Sequence, residues 1–236
     1  MARDTLHGLR SNPARSRATS ALPPDSGQAD RVVAVMARLC EADPDPKAGF
    51  DDSDPFRLLV TVLLSAQSTG PTVARIAELL FTAVRDPAGM LELGEARITE
   101  IIRPVGLGPS KARNIVKLSA ALISEFGGTV PRSAIEMRRL PGIGRKSAEV
   151  TANFAFHEPV IAVDTHVFRV SNRIPLAAGA TVDAVADGLA RIVPERFKDG
   201  AHVWLFRHGR DTCTARKPAC PRCVVSDLCL WPGKAL

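Results

Sequence analysis

No apolar run in this sequence reaches the roughly 18 residues that a bilayer-spanning helix needs, so a membrane anchor of that kind is excluded. The first residues have no signal-peptide apolar core, and a cytoplasmic, reducing location is expected. In such a compartment the five cysteines are not expected to form a disulfide set. Runs of alternating β-branched residues are also missing, which argues against a sheet and leaves an all-α fold. Lysine is scarce: of 31 basic residues, seven are Lys and 24 are Arg. A guanidinium keeps its proton and serves ion pairs and phosphate contact, whereas an amine can be desolvated and made nucleophilic. The positions of the few lysines therefore matter.

The 236 residues suit one or two domains. A net charge of +6 and a pI near 9.4 point to a polyanionic partner. Charge alone leaves nucleic acid no better than even against a basic protein that binds none. Residues 1–28 are rich in Arg, Ser, Pro and Ala without an apolar period, and read as a flexible basic tail. Helical periodicity begins near Asp30, with Val32, Val33, Val35, Met36 and Leu39 on one face and Asp43-Pro44-Asp45-Pro46 as the stop. Ser53-Asp54-Pro55 reads as a cap with Pro in the first turn, opening a nearly all-apolar and hence buried helix to Ala66. Further helices are expected at about 71–84, 95–102, 109–125, 133–139, 145–156, 165–173, 181–193 and 199–208.

Within Leu140-Pro141-Gly142-Ile143-Gly144-Arg145-Lys146, a short helix must stop at Pro141 and the glycines permit a tight turn. The next helix opens at Arg145, and its first amides lack intrahelical partners and carry the positive dipole end. Gly142 and Gly144 keep side chains away, so a phosphate can reach the backbone. A plain packed helical hairpin is the alternative. Lys146 lies in that first turn, where the dipole disfavours an ammonium; it is either a Schiff-base nucleophile or a phosphate contact. Arg145 is available for the phosphate contact instead. Asp164 follows the apolar run Val160–Val163 and stands at the start of a helix: it is either a helix cap alone, or a cap whose second oxygen faces a cleft and stabilises a cationic sugar.

Cys213, Cys220, Cys223 and Cys229 have the spacing C-x6-C-x2-C-x5-C. Four thiolates this close read as a metal site, with zinc and a [4Fe-4S] cluster about equally compatible with the spacing. The loop between the first two carries Arg216 and Lys217, cations suited to phosphate.

Taken together, LLSAQST (63–69), MLELG (90–94), LPGIGRKSAEV (140–150), IAVDTHVFRVSNR (161–173), HGRDTC (208–213) and the cysteine spacing resemble endonuclease III, an iron–sulfur DNA glycosylase and AP lyase of the helix–hairpin–helix superfamily. The resemblance spans about residues 30 to 232. It implies two helical domains flanking a DNA cleft: a six-helix barrel over 48–158 and a cluster domain of 29–47 plus 159–236. It favours iron–sulfur over zinc. It places the nucleophile on Lys146 and the carboxylate on Asp164. Gln67 would fill the space of an extruded base, and Leu107 would be the apolar wedge on the opposite strand.

The expected activity is excision of oxidised pyrimidines from double-stranded DNA, with cleavage at AP sites, by a monomer associated with the nucleoid. A monofunctional glycosylase of another damage class and a non-catalytic iron–sulfur DNA-binding protein are the rivals. Gly70, Arg138 and Gly108 depart from the family's pattern, as does the absence of Tyr, and they bear on which lesions are accepted. Arg207 and Arg210 are further candidates for phosphate contact. Trp204, Trp231 and Cys40 read as packing residues, and His166 as a core residue or a lining of the site.

Overall fold

A computed structural model of the chain describes residues 26–50 and 53–234. Most of the expected basic tail, residues 1–25, lies outside them. Among the described residues the regular structure is wholly helical: α1 (Ser26–Ala42), α2 (Pro55–Ser65), α3 (Gly70–Ala83), α4 (Pro87–Ile102), α5 (Gly108–Phe126), α6 (Ala134–Met137), α7 (Arg145–Phe156), α8 (Thr165–Arg173), α9 (Val182–Ile192) and α10 (Glu195–Asp211), then one 3-10 turn at Cys220–Arg222.

Local chemistry sets most of the starts. Asp54 accepts from the amides of Phe56 and Arg57, Asp86 from Gly89, Ser133 from Ile135, Asp164 from His166 and Val167, and Thr181 from Ala184. Pro55 and Pro87 occupy first-turn positions, where a missing N–H costs nothing. Three helices begin earlier than their apolar period. Helix α1 starts at Ser26, so residues 26–28 are helical and not tail. Helix α10 starts at Glu195, because its first turn is polar around a single buried Phe197. Helix α4 starts at Pro87 and is kinked at Gly94, whose φ of 75° only glycine adopts without strain.

Two hydrophobic cores organise the chain. Helices α2 to α7 surround the first, built on Leu59, Leu64, Ile76, Leu80, Ile98 and Leu118 among others. The second joins α1 to α8, α9, α10 and the cysteine region through Val32, Met36, Val167, Leu189, Leu205 and Val225. A small third cluster, Val62, Val150, Phe154, Ala162 and Val203, bridges them where α2 and α7 meet α10. The connection from α1 to α2 is pinned at that seam. Lys47 Nζ donates to the Asn153 carbonyl (2.8 Å) and to Asp199 (2.7 Å), and lies over the Phe154 ring. Trp204 is a core residue, as expected, and its indole N–H donates to the Asp43 carbonyl.

Candidate active site and nucleic-acid interface

The α6–α7 hairpin is held from below. Leu140 and Ile143 are buried, while Gly142 and Gly144 face solvent. Gly142 has a φ of 79°, and a Cβ there would meet Asn114 at 2.8 Å, so no other residue fits. Gly144 has an ordinary φ and open space before it; the chain itself does not require glycine there. No side chain caps α7, so its first amides are left for an external acceptor.

Lys146 is half-buried one residue inside that helix. Loss of solvent pushes its ammonium down from the usual lysine value, and nearby Asp164 opposes part of that. Asp164 uses Oδ1 for both capping bonds, 2.8 Å from each amide, while Oδ2 makes no bond to any of the described residues. His202, missed in the sequence, is buried beside the pair. Its Nδ1 is 2.8 Å from the Ala162 carbonyl, which can only accept, so Nδ1 carries the proton. Burial, then the charge of Lys146, drive its pKa down to about 4, so Nε2 is an unprotonated acceptor at neutral pH. Its signal was weak: one His in an amphipathic helix, 56 positions from Lys146.

Arg145 is a correction. Its guanidinium is not free for phosphate: Nε donates to Glu149 (2.8 Å), Nη1 to Asp183 (3.1 Å) and Nη2 to Asp187 (2.7 Å). Three carboxylates use its donors and tie α7 to α9. Arg207 is likewise paired with Asp43, and Arg210 with Asp211. Arg216 and Lys217, by contrast, project from the cysteine loop with exposed side chains. Of the departures, Arg138 caps the end of α6 and acts electrostatically on Glu149, while Gly70 and Gly108 are the first residues of α3 and α5.

Gln67 and Leu107 are both exposed, Leu107 by 56 %. Both hold left-handed backbone, with φ of 54° and 61°. Such a conformation costs a side-chain-bearing residue about 1–3 kcal/mol and persists only where its surroundings enforce it.

All four C-terminal cysteines are free of disulfides and line one cavity with Ile174, His208 and Trp231. Their side chains ring this space, and no three ligating groups among the described residues converge on one ion position. Burial, then the charge of the other three sulfurs, push the Cys223 thiol up, so four thiolates here need cations among them. That donor set fits an iron–sulfur cluster. Arg173 braces the loop, donating to the carbonyls of Thr214 (2.7 Å) and Ala215 (2.8 Å) and lying over Trp231.

Comparison with known proteins gives a consistent result. Residues 60–195 match the model of the HhH-GPD superfamily base excision DNA repair protein, and residues 213–229 match the iron-sulfur binding domain of endonuclease III. The chain is 44 % identical to endonuclease III of Escherichia coli (strain K12) over 200 residues, covering 85 % of this chain and 95 % of that protein. It is 45 % identical to the Treponema pallidum (strain Nichols) endonuclease III over 198 residues, 84 % and 94 % of the two chains. Its fold is similar to a trapped covalent intermediate of endonuclease III with DNA, with a TM-score of 0.80, 36 % identity, and coverage of 86 % and 95 %. A thermostable thymine-DNA glycosylase, 23 % identical over 86 % of this chain and 96 % of that one, shares the fold at a TM-score of 0.76.

Proposed function

Since the chain belongs to the endonuclease III family of the HhH-GPD superfamily, we propose that Lys146 is its nucleophile and Asp164 the carboxylate that assists it. The protein is a bifunctional DNA glycosylase and AP lyase of base excision repair, binds DNA and carries an iron–sulfur cluster. The observation that carries the residue assignment is the desolvated Lys146 ammonium beside a carboxylate with one oxygen unbonded.

A neutral Nζ of Lys146 adds to the anomeric carbon of an extruded, oxidised pyrimidine nucleotide. The carbon–nitrogen bond to the base breaks, and the base leaves with the electron pair and gains a proton. Asp164, ionised, stabilises the positive charge developing on the sugar. The added nitrogen then gives up a proton, and the pair this frees opens the sugar ring as the ring oxygen takes up a proton, leaving a protonated Schiff base and a hydroxyl. Loss of the C2′ proton expels the 3′ phosphate with its electron pair, and the strand is nicked 3′ to the lesion. The bare Nε2 of His202 adds a buried hydrogen-bond acceptor, and no charge, to the surroundings of the amine.

Gly142 and Gly144 present the α7 amides to a phosphate of lesion-bearing or AP-site duplex, and Arg216 and Lys217 contact phosphates further along. Gln67 enters the space of the extruded base, and Leu107 wedges the opposite strand. Cys213, Cys220, Cys223 and Cys229 are the ligands for a [4Fe-4S] cluster. When bound, it neutralises the four thiolates and fixes the loop that carries Arg216 and Lys217. We read the chain as a barrel domain, 48–158, and a cluster domain, 29–47 plus 159–236, a division supported by the two cores. We expect a monomer in the cytoplasm, on the nucleoid; no helix among the described residues is long and apolar enough to cross a membrane.

Duplexes each carrying one damaged base, assayed with and without borohydride, test this. Wild type is expected to release oxidised pyrimidines, trap covalently and nick, and Lys146→Ala to do none of these. Normal trapping by Lys146→Ala overturns the assignment. Base release without trapping by wild type would make the enzyme monofunctional, and binding without release would make it non-catalytic.

A further inference from the structure

Lys111 is a lysine that the chemistry above does not use, and it is the most deeply buried charged side chain among the described residues, with 4 % of its surface exposed. A buried ammonium must be fully hydrogen-bonded, and this one is. It donates to the Leu64 carbonyl at 2.8 Å, to the Ala66 carbonyl, and to Ser68 Oγ at 3.2 Å. The two carbonyls lie at the open end of α2, where helix bonding has run out. The bonds therefore bracket Gln67, fixing the residues on both sides of its left-handed backbone.

The same lysine is also fixed to the other DNA-facing turn. Its own amide donates to the Leu107 carbonyl at 3.0 Å, one turn into α5. Ser68 Oγ, which accepts from Lys111, also accepts from the Gly106 amide at 3.2 Å. Gly106 lies so close that a Cβ there would stand 2.7 Å from the Gln67 carbonyl. Two turns some 40 positions apart in sequence, each bearing one strained and exposed residue, thus meet at one ammonium.

We propose that Lys111 is a positioning residue that locks Gln67 and Leu107 into a single rigid unit, so that base replacement and strand wedging occur together when the duplex is opened. The inference rests on the reading of Gln67 as plug and Leu107 as wedge. It concerns duplex opening and leaves the chemistry at Lys146 untouched. Covalent capture of an AP site in single-stranded DNA needs neither plug nor wedge, so the ratio of duplex to single-strand trapping isolates the effect.

Lys111→Met is expected to lower borohydride trapping on AP-site duplex by about tenfold or more, in keeping with the sensitivity of reaction to small misplacements. Trapping on single-stranded AP DNA should stay within about twofold, since the reacting groups are unmoved. Ser68→Ala removes only the hydroxyl linking Lys111 to Gly106. It should lower the same ratio by a smaller factor, and it decides the matter if Lys111→Met does not fold. The lesion-dependent fluorescence rise of a 2-aminopurine next to the lesion should fall in both variants, less in Ser68→Ala, while single-strand trapping is retained, a combination that loss of global stability does not produce. Leu107→Ala and Gln67→Ala are the reference. If they leave the ratio unchanged, the plug-and-wedge reading fails. If they lower it while Lys111→Met, or Ser68→Ala where the former does not fold, leaves it at the wild-type value, this inference alone is overturned.

Discussion

Lys146 has lost much of its water and stands at the positive end of α7, and both effects favour the neutral amine. The rate of borohydride trapping should therefore rise with pH and level off below 10.5, the ordinary lysine value. Asp164 opposes the shift, so in Asp164→Asn the inflection should move further down while turnover falls by about 10²–10³-fold. A pH–rate profile of both proteins checks this; an unshifted inflection would show that the carboxylate does not act on the amine. At this scale the sequence was informative where a candidate residue sits beside a structural signal. Lys146 follows a Pro-Gly-apolar-Gly turn, and Asp164 stands at a helix start. Lys111 and His202 carry no such mark. Their partners, Ala66 and Ala162, are 45 and 40 positions away, and only the fold brings them together.

Helix α7 is where the elements meet. Its outer end is open to phosphate, and its first side chain is tied to α9. The three acids that hold Arg145 are 4, 38 and 42 positions on, which is why a cation beside a phosphate grip looked available. Arg145→Ala should leave the salt dependence of duplex binding nearly unchanged. Arg216→Ala or Lys217→Ala should each reduce the slope of log K against log salt by about one. The Arg145 variant should instead lose stability, by about 1–3 kcal/mol, because Glu149 is left buried without its main partner. Denaturant titrations and fluorescence anisotropy at several salt concentrations separate the two outcomes. Helices whose apolar face is continuous, such as α2, α5 and α7, were legible to within a residue or so. The start of α10 was not, because a polar turn that buries one side chain leaves no period to read, and neither was that of α4, whose first half carries Pro87, Gly89 and the kinked Gly94.

Across the whole molecule, the buried neutral His202 sits at the seam between the two cores, at the end of the Val203 cluster. Its folded pKa, about 4, is below the ordinary value of 6.5, so the unfolded chain takes up the proton first. Its contribution to stability is intact above pH 6.5 and is lost as pH falls towards 4, amounting to roughly 2–3 kcal/mol over that range. Urea unfolding at stepped pH should show the decline, and His202→Gln should flatten it. The all-helical fold was legible because no alternating strand pattern competes with the helical one. The seam was not, since Val62, Val150, Ala162 and Val203 look like any other apolar residues of their segments.

The second core has a consequence for biosynthesis. Helix α1 leaves the ribosome before every other helix described, yet Val32, Val35 and Met36 pack against residues from Ile161 to Val225. The first core draws on residues 56 to 160 and can condense while the rest of the chain is still being made. Until those residues are made α1 therefore waits with its apolar face uncovered, tethered to a finished first core. The four clustered cysteines follow α1 to α10 in the chain, so the iron can be delivered only after all ten helices have been made.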